Sequence, residues 1–324
     1  SAAPSRNVTA PQRRRANLEF PSGFSCEPLM ENGMNAIAPF DAEKFKAATR
    51  DQWDKSAKGW NDQSTRIRTW LRESTDAMLE MAEIRPGARV LDVAAGAGDQ
   101  TLDIAKRVGS SGSVLATDLS PAILELAKDN ARHAGYDNVE TQVADGEDLR
   151  VPEASFDAAV CRLGLMFFPD PARGLREMFR ALKAGGRACT MVFSTPEKNP
   201  CIAILVSTAL KHAGLPPRDP YQPGGLLSLG KPGLIDELFR QAGFSRVATT
   251  KVAAPFRLPT VKDYLEFIRT SASPIIQILG RLDDAGRDAA WVEIEQKLSM
   301  FNTPSAWEGP NELLLTIGYR QSER

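Results

Sequence analysis

The stretch Val90-Leu91-Asp92-Val93-Ala94-Ala95-Gly96-Ala97-Gly98-Asp99-Gln100-Thr101 reads as a buried strand, a tight turn of small residues and the start of a helix. Gly96 and Gly98 let backbone amides approach a ligand with no Cβ in the way. Asp118 closes the next β-rich run, 20 residues beyond Gly98. In doubly wound nucleotide sites a carboxylate there hydrogen-bonds a ribose diol. Asp145-Gly146 closes the third run, where a carboxylate can accept a bond from an adenine amino group. Taken singly, each aspartate reads as well as a helix cap or a solvated loop residue, and the glycine turn as an ordinary strand-to-helix connection. At successive strand ends they converge on one crevice, and the joint pattern points to a nucleoside. Arg162 ends the fourth run, where its guanidinium can neutralise a phenolate or carboxylate; the competing reading is a rim salt bridge. Of the two histidines, His133 falls late in a helix, at the surface. His212 lies in an insertion after the sheet, where it could roof a site.

These residues need a frame to hold them. Asp41 is placed to cap a helix reaching about Trp60, with Trp53, Ala57 and Trp60 on one face. A second helix covers about 65–84, and Pro86-Gly87 turns the chain. Short β-rich runs then alternate with helical patterns: strands at 89–93, 113–117, 139–143, 156–161 and 187–193, with helices between them. Ser120-Pro121 and Asp170-Pro171 are N-cap and first-turn signals. Such alternation predicts a parallel sheet with helices on both faces, and right-handed crossovers make it doubly wound. Beyond Phe193 the spacing predicts helices over 203–213, 231–242, 261–270 and 284–301, and strands over 245–256 and 312–319.

The totals narrow the classes. A chain of 324 residues, 42% hydrophobic and 25% charged, can bury a sizeable core. A net charge of −1 supplies no field to attract nucleic acid or an anionic membrane. No apolar run approaches the ~18 residues of a membrane span. Cys26, Cys161, Cys189 and Cys201 form no CxxC pair and no metal-ligand spacing, which argues for a reducing, cytoplasmic setting. Segment 1–33 is rich in Pro, Ser, Asn and Arg, without an apolar period. It is read as a flexible arm, an arm docked on the rest, or an extension upstream of a start near Met34.

In order and spacing, residues 90–101, Thr117-Asp118-Leu119-Ser120, Ala144-Asp145-Gly146 and Leu182-Lys183-Ala184-Gly185-Gly186-Arg187 resemble the successive motifs of class I S-adenosylmethionine-dependent methyltransferases. The similarity spans about 88–196. Asp92 through Asp99 and Val192-Phe193-Ser194-Thr195-Pro196 are most similar to the ubiquinone/menaquinone-biosynthesis-type group (methyltransferase type 11). The resemblance implies a Rossmann-like α/β fold, a doubly wound, mostly parallel seven-stranded sheet with helical lid insertions. It implies a monomer or homodimer that methylates a small molecule. It assigns the ribose hydroxyls to Asp118, with Leu119 beside it, and the adenine to Asp145 and Gly146. Gly96 and Gly98 would pack against the methionine moiety, within a cofactor-binding set that also takes in Asp92, Ala94, Thr101 and Arg162. Ala94 stands where the motif's first glycine is usual. Quinone-type members carry an Arg-Asn pair just after the fourth strand. Met166 and Phe167 hold those positions here, and the run Cys161 to Phe168 suggests a different acceptor or an apolar wall.

A dinucleotide-binding oxidoreductase is the rival reading. Thr101 occupies its third glycine position, and Asp99 at the helix start would repel a pyrophosphate. A scaffold that binds the cofactor without transferring a methyl group is the other. The domain reading is an arm (1–33), covering helices (34–84), a nucleoside-binding core (85–196) and the rest of the sheet with its insertions (197–324). Segments 194–230 and 257–308 are expected to form a mobile roof over an apolar acceptor pocket. Trp53, Trp60, Tyr221, Tyr264, Phe267, Trp291, Phe301 and Trp307 are split between that pocket and the core, and Arg162 and His212 are the candidates for catalytic contact.

Overall fold

The computed structural model describes residues 41–271 and 273–321. The expected arm at 1–33, and residues 34–40 of the covering segment, lie outside them. Two helices, α1 (Ala42–Asp62) and α2 (Ser64–Met81), precede the alternating core. There follow β1 (Arg89–Val93), α3 (Asp99–Val108), β2 (Ser113–Asp118), α4 (Pro121–His133), β3 (Val139–Val143), β4 (Phe156–Arg162), α5 (Pro171–Ala181) and β5 (Leu182–Phe193). The last part comprises α6 (Pro200–His212), α7 (Leu234–Gln241), β6 (Ser245–Ala253), β7 (Phe256–Leu258), α8 (Val261–Ser271), α9 (Ser273–Leu279), α10 (Asp284–Leu298), β8 (Trp307–Gly309) and β9 (Glu312–Tyr319).

The helix starts follow from capping. The Asp41 carboxylate accepts from Lys44 N at 3.0 Å, the Ser120 hydroxyl from Ile123 N at 3.2 Å, and Asp170 from Arg173 N at 2.9 Å. Each satisfies a first-turn amide that has no partner within its helix. β1 and β4 are buried along almost their whole length, as strands covered on both faces must be.

Seven strands form one sheet in the order β3-β2-β1-β4-β5-β9-β6. β1 to β5 pair in parallel, and β9 runs antiparallel to both neighbours. From β1 the chain winds outward through β2 to β3, then returns to β4 on the other side of β1. That reversal opens a crevice beyond the carboxyl ends of β1 and β4, the place where open α/β sheets bind ligands. The fold is the expected Rossmann-like one, with helical additions.

Several boundaries differ from the expectation. The strand expected over 245–256 breaks at Ala254-Pro255, because Pro255 has no N–H for the ladder. β6 stays in the main sheet, while β7 pairs with β8 as a separate two-stranded ribbon. β5 begins at Leu182 rather than 187, since Leu182 pairs with Phe156 across a register shift. α6 begins at Pro200, which fits a first helical position. α7 waits until Leu234, after Gly233 at φ 80°. α9 and a 3-10 turn at Leu165–Phe167 are too short to show a period.

Candidate active site

A cavity of about 190 Å³ opens at the crevice. Ala94 and Gly96 of the first turn, Asp118 at the end of β2 with Leu119 just beyond it, and Ala144, Asp145 and Gly146 after β3 all line it. The three strand ends expected to converge therefore do so. The Asp118 carboxylate accepts from Gly96 N at 2.9 Å and from Ser120 N at 3.0 Å. Both oxygens are thus fixed by backbone while the residue still borders the cavity. Burial pushes its pKa up, and the amides of Ser120 and Gly96 oppose that. Ala94 and Gly96 both have positive φ, 54° and 59°, so the turn is sharp despite the alanine at the first motif position.

Asp92, Gly98 and Thr101 are not among the residues lining the cavity. Gly98, at φ 87°, packs on α4: a Cβ there would sit 3.0 Å from the Ala127 Cβ. Its lack of a side chain serves helix contact rather than ligand contact. Asp92 lies fully buried beneath the turn and accepts from Gln100 Nε2 at 2.9 Å and Thr101 Oγ1 at 2.6 Å. Both residues act on the site through the turn's shape. Gly146 lines the cavity, but a Cβ on it would strike the Phe168 ring at 2.1 Å, so the glycine makes room for that ring.

Burial raises the Asp92 pKa from 3.8 to about 6, against the bonds from Thr101 and Gln100. The folded protein therefore binds a proton more tightly than the unfolded chain. Stability from this group is present below pH 3.8 and is lost as pH rises through about 6. The rise of about two units corresponds to ~3 kcal/mol. Asp92→Asn keeps the size; its oxygen can accept from Gln100 while its amide donates to the Thr101 hydroxyl. It is expected to gain up to roughly that much stability over the wild type above pH 6 and nothing below pH 4. Urea melts of both proteins from pH 4 to 8 check this; a constant difference across the range would mean the carboxyl does not titrate as described.

Arg162 lines the cavity, yet its guanidinium contacts run elsewhere. Nη1 donates to Thr75 Oγ1 at 3.0 Å, and Nη2 lies 3.9 Å from Asp99 Oδ2. Both side chains of that ion pair are 5% exposed. Burial lowers the Arg162 pKa, while Asp99 and Asp92 support its charge. The expected partner of an acceptor anion is thus the counter-ion of two buried aspartates. His212 is not brought to the cavity. It sits at the end of α6, with Nε2 2.7 Å from Glu293 Oε2 on α10. Lys297 and Lys211 bind the same carboxylate. His212 forms part of a surface ion cluster that ties two helices.

α1 covers the turn. Arg50 Nε donates to Leu119 O at 3.1 Å, and Asn130 Nδ2 donates to Asn61 Oδ1 at 2.8 Å and Ala97 O at 2.9 Å. Asp54 accepts from the Ser120 hydroxyl. Lys46 Nζ bridges Asp145 Oδ2 and Glu147 Oε2, each at 2.7 Å. Burial pulls the Lys46 pKa down, but the two carboxylates outweigh it and leave a net rise. No sequence spacing signalled Lys46, because its partners lie about 100 residues away and only α1 packing brings them together.

The rest of the cavity is apolar. Met166, Phe167 and Phe168 form one wall; Phe193, Phe256, Tyr264 and Phe267 another; Ile202, Leu205, Leu226 and Ile275 add aliphatic surface. Both insertions expected as a roof therefore contribute to the wall. Trp70 stacks on Phe256 at 3.9 Å and donates its indole N–H to Ala254 O at 2.7 Å. Of the aromatics singled out, Trp53, Trp60, Tyr264 and Phe267 line the cavity. Trp307 is core, fully buried with its ring 4.6 Å from Tyr264, and Trp291 is buried beneath Arg269.

Known proteins bear on this geometry. Residues 64–206 match the ubiE/COQ5 methyltransferase family. The chain is 38% identical over 130 residues to a ubiquinone/menaquinone biosynthesis C-methyltransferase UbiE from Geotalea daltonii, a match covering 40% of this chain and 54% of that protein. It spans about half the length of the curated relatives it matches. Among solved structures, the YcgJ protein of Bacillus subtilis superposes with a TM-score of 0.53 at 21% identity, over 78% of this chain and all of that one. The [4+2]-cyclase SpnF superposes with a TM-score of 0.50 at 23% identity, over 77% and 82%. These structural likenesses show the fold. Across residues 64–206 the sequence is similar to the ubiE/COQ5 methyltransferase family, and the strand order of the sheet gives a Rossmann-like fold.

Proposed function

We propose that this protein is an S-adenosylmethionine-dependent methyltransferase that acts on a small apolar or aromatic acceptor. One observation carries the reading: the Gly96 turn, the Asp118 carboxylate and Asp145 border a single cavity whose remainder is apolar. The residues fit the cofactor. Two amides fix the Asp118 carboxylate at the cavity edge, where it can accept from a diol, and Gly96 leaves open the space a Cβ would fill. Asp99, buried at the first turn of α3, opposes the pyrophosphate of a dinucleotide. When bound, S-adenosylmethionine supplies an activated methyl group on a cationic sulfonium. The protein's own part is then to orient donor and acceptor and to exclude water, and such orientation can lower a barrier by roughly 7–11 kcal/mol.

On this reading the acceptor needs no charged partner after β4. Met166 and Phe167 stand where the resemblance leads one to expect Arg-Asn, and both face the cavity. A flat, uncharged ring system suits walls of this kind. Among the described residues no helix is long and apolar enough to cross a membrane. Three buried free cysteines support a reducing, cytoplasmic compartment. A monomer or homodimer without nucleic acid fits the near-zero net charge.

Titration calorimetry tests the reading. Micromolar binding of S-adenosylmethionine and S-adenosylhomocysteine is expected, and no binding of NADH. Heat with NADH alone would reverse the assignment. A second reading is a protein of this fold that does not transfer methyl groups, as the fold likeness to a [4+2]-cyclase allows. A tritiated methyl-transfer screen against phenols, quinols, amines and thiols separates the two.

A further inference from the structure

We propose that Trp53, Trp60 and Phe167 form an aromatic cage for the sulfonium charge, so that the protein holds S-adenosylmethionine more tightly than the neutral thioether left after transfer. The inference rests on the proposed cofactor. Trp53 and Trp60 lie seven residues apart on α1, two helical turns, and so share a face. Phe167 comes from the 3-10 turn after β4. The Trp53 ring meets Trp60 at 5.4 Å and 87°, and Phe167 at 6.0 Å and 71°. All three rings are half-buried and border the cavity. Trp53 and Trp60 are backed by the small cluster of Ala57, Ala97 and Ile123, which fixes α1 over the turn, and Phe167 packs on the main core.

The Trp60 indole borders the space beside Gly96. Trp60 Nε1 is 3.7 Å from the point a Cβ on Gly96 would occupy. The amide of Gly96 is bonded to Asp118 at 2.9 Å. In the cofactor one methylene separates the sulfonium from the ribose, so a ribose on Asp118 brings the sulfur to the neighbourhood of Gly96, which the Trp60 indole borders.

Of the carboxylates around it, Asp145 is paired with Lys46, while Asp118 and Asp54 are held by neutral donors, two amides and the Ser120 hydroxyl. A cation in the apolar part of the cavity gains, beside that negative charge, from the negative faces of aromatic rings, Trp being the best of them. The neutral thioether gains dispersion from the same rings but no charge interaction. The device therefore aids product release as well as donor capture.

The test is the ratio of two dissociation constants, measured calorimetrically on the full chain for S-adenosylmethionine and S-adenosylhomocysteine. Trp60→Leu is expected to reduce the preference for the sulfonium by about 3- to 30-fold, with Trp60→Phe intermediate. Trp53→Leu should act in the same direction, and circular dichroism confirms that each variant is folded. Equal weakening of both ligands, with the ratio unchanged in the Trp60 and Trp53 variants, would overturn the cage and leave the rings as packing. Failure of the wild type to bind either ligand would overturn the cofactor reading itself, and the cage with it.

Discussion

Asp118→Ala is expected to raise the dissociation constant for S-adenosylmethionine by about 150- to 25,000-fold, with a matching rise for S-adenosylhomocysteine. Two ribose hydroxyls would lose a charged acceptor, and hydrogen bonds to charged groups contribute roughly 1.5–3 kcal/mol each. The variant also releases the amides of Gly96 and Ser120, which the carboxylate now holds at 2.9 and 3.0 Å. Part of the loss therefore comes from a looser turn. Asp118→Asn separates the parts, since its single acceptor oxygen can retain one amide while the charge disappears. Calorimetry on both variants, with thermal melts alongside, reads the two contributions. An alanine variant with an unchanged dissociation constant would reduce Asp118 to a structural cap for the Gly96 turn.

The second large effect concerns folding rather than ligand. Arg162→Ala leaves Asp99 and Asp92 in the interior without their counter-ion, and the Thr75 hydroxyl without its donor. Removing one partner of a buried ion pair costs about 3–5 kcal/mol, mainly because the other charge stays buried. Burial already raises the pKa of both aspartates, so the loss should deepen from pH 5 to pH 8, where both must ionise. Adding Asp99→Asn to Arg162→Ala should recover part of the stability, which a double-mutant cycle in urea measures. A loss under about 1 kcal/mol from Arg162→Ala alone would mean that water reaches the guanidinium and the pair is a rim salt bridge. Because Arg162 also borders the cavity, cofactor binding has to be compared under conditions where the variant is folded.

The match between sequence and structure follows the range of the interactions involved. The strands at 89–93 and 139–143 and the helix at 99–108 fall where periodicity and capping put them, because both depend on neighbours a few residues apart. The same holds for the convergence of the turn with Asp118 and Asp145. A doubly wound sheet brings successive strand ends together whatever packs around them.

Local pattern also fixed too little in places. It could not separate Gly96, which borders the cavity, from Gly98, which makes room for α4. Both are turn glycines with positive φ, and only the approach of Ala127 distinguishes them. Arg162 sits at the expected strand end, but its direction is set by buried Asp99 and by Thr75 on a helix 87 residues earlier. His212 had the chemistry for a site and the wrong neighbours, because Glu293 on α10 holds it at the surface. Lys46 and the aromatic walls exist as a site only after α1, α2 and the late helices close over the sheet. The sequence by itself determined the alternating sheet, its capped helices and the convergence of the first three strand ends, since each is written in residues close along the chain. The tertiary structure decided which polar groups face the ligand and which merely support it, since that depends on burial and long-range charge pairing.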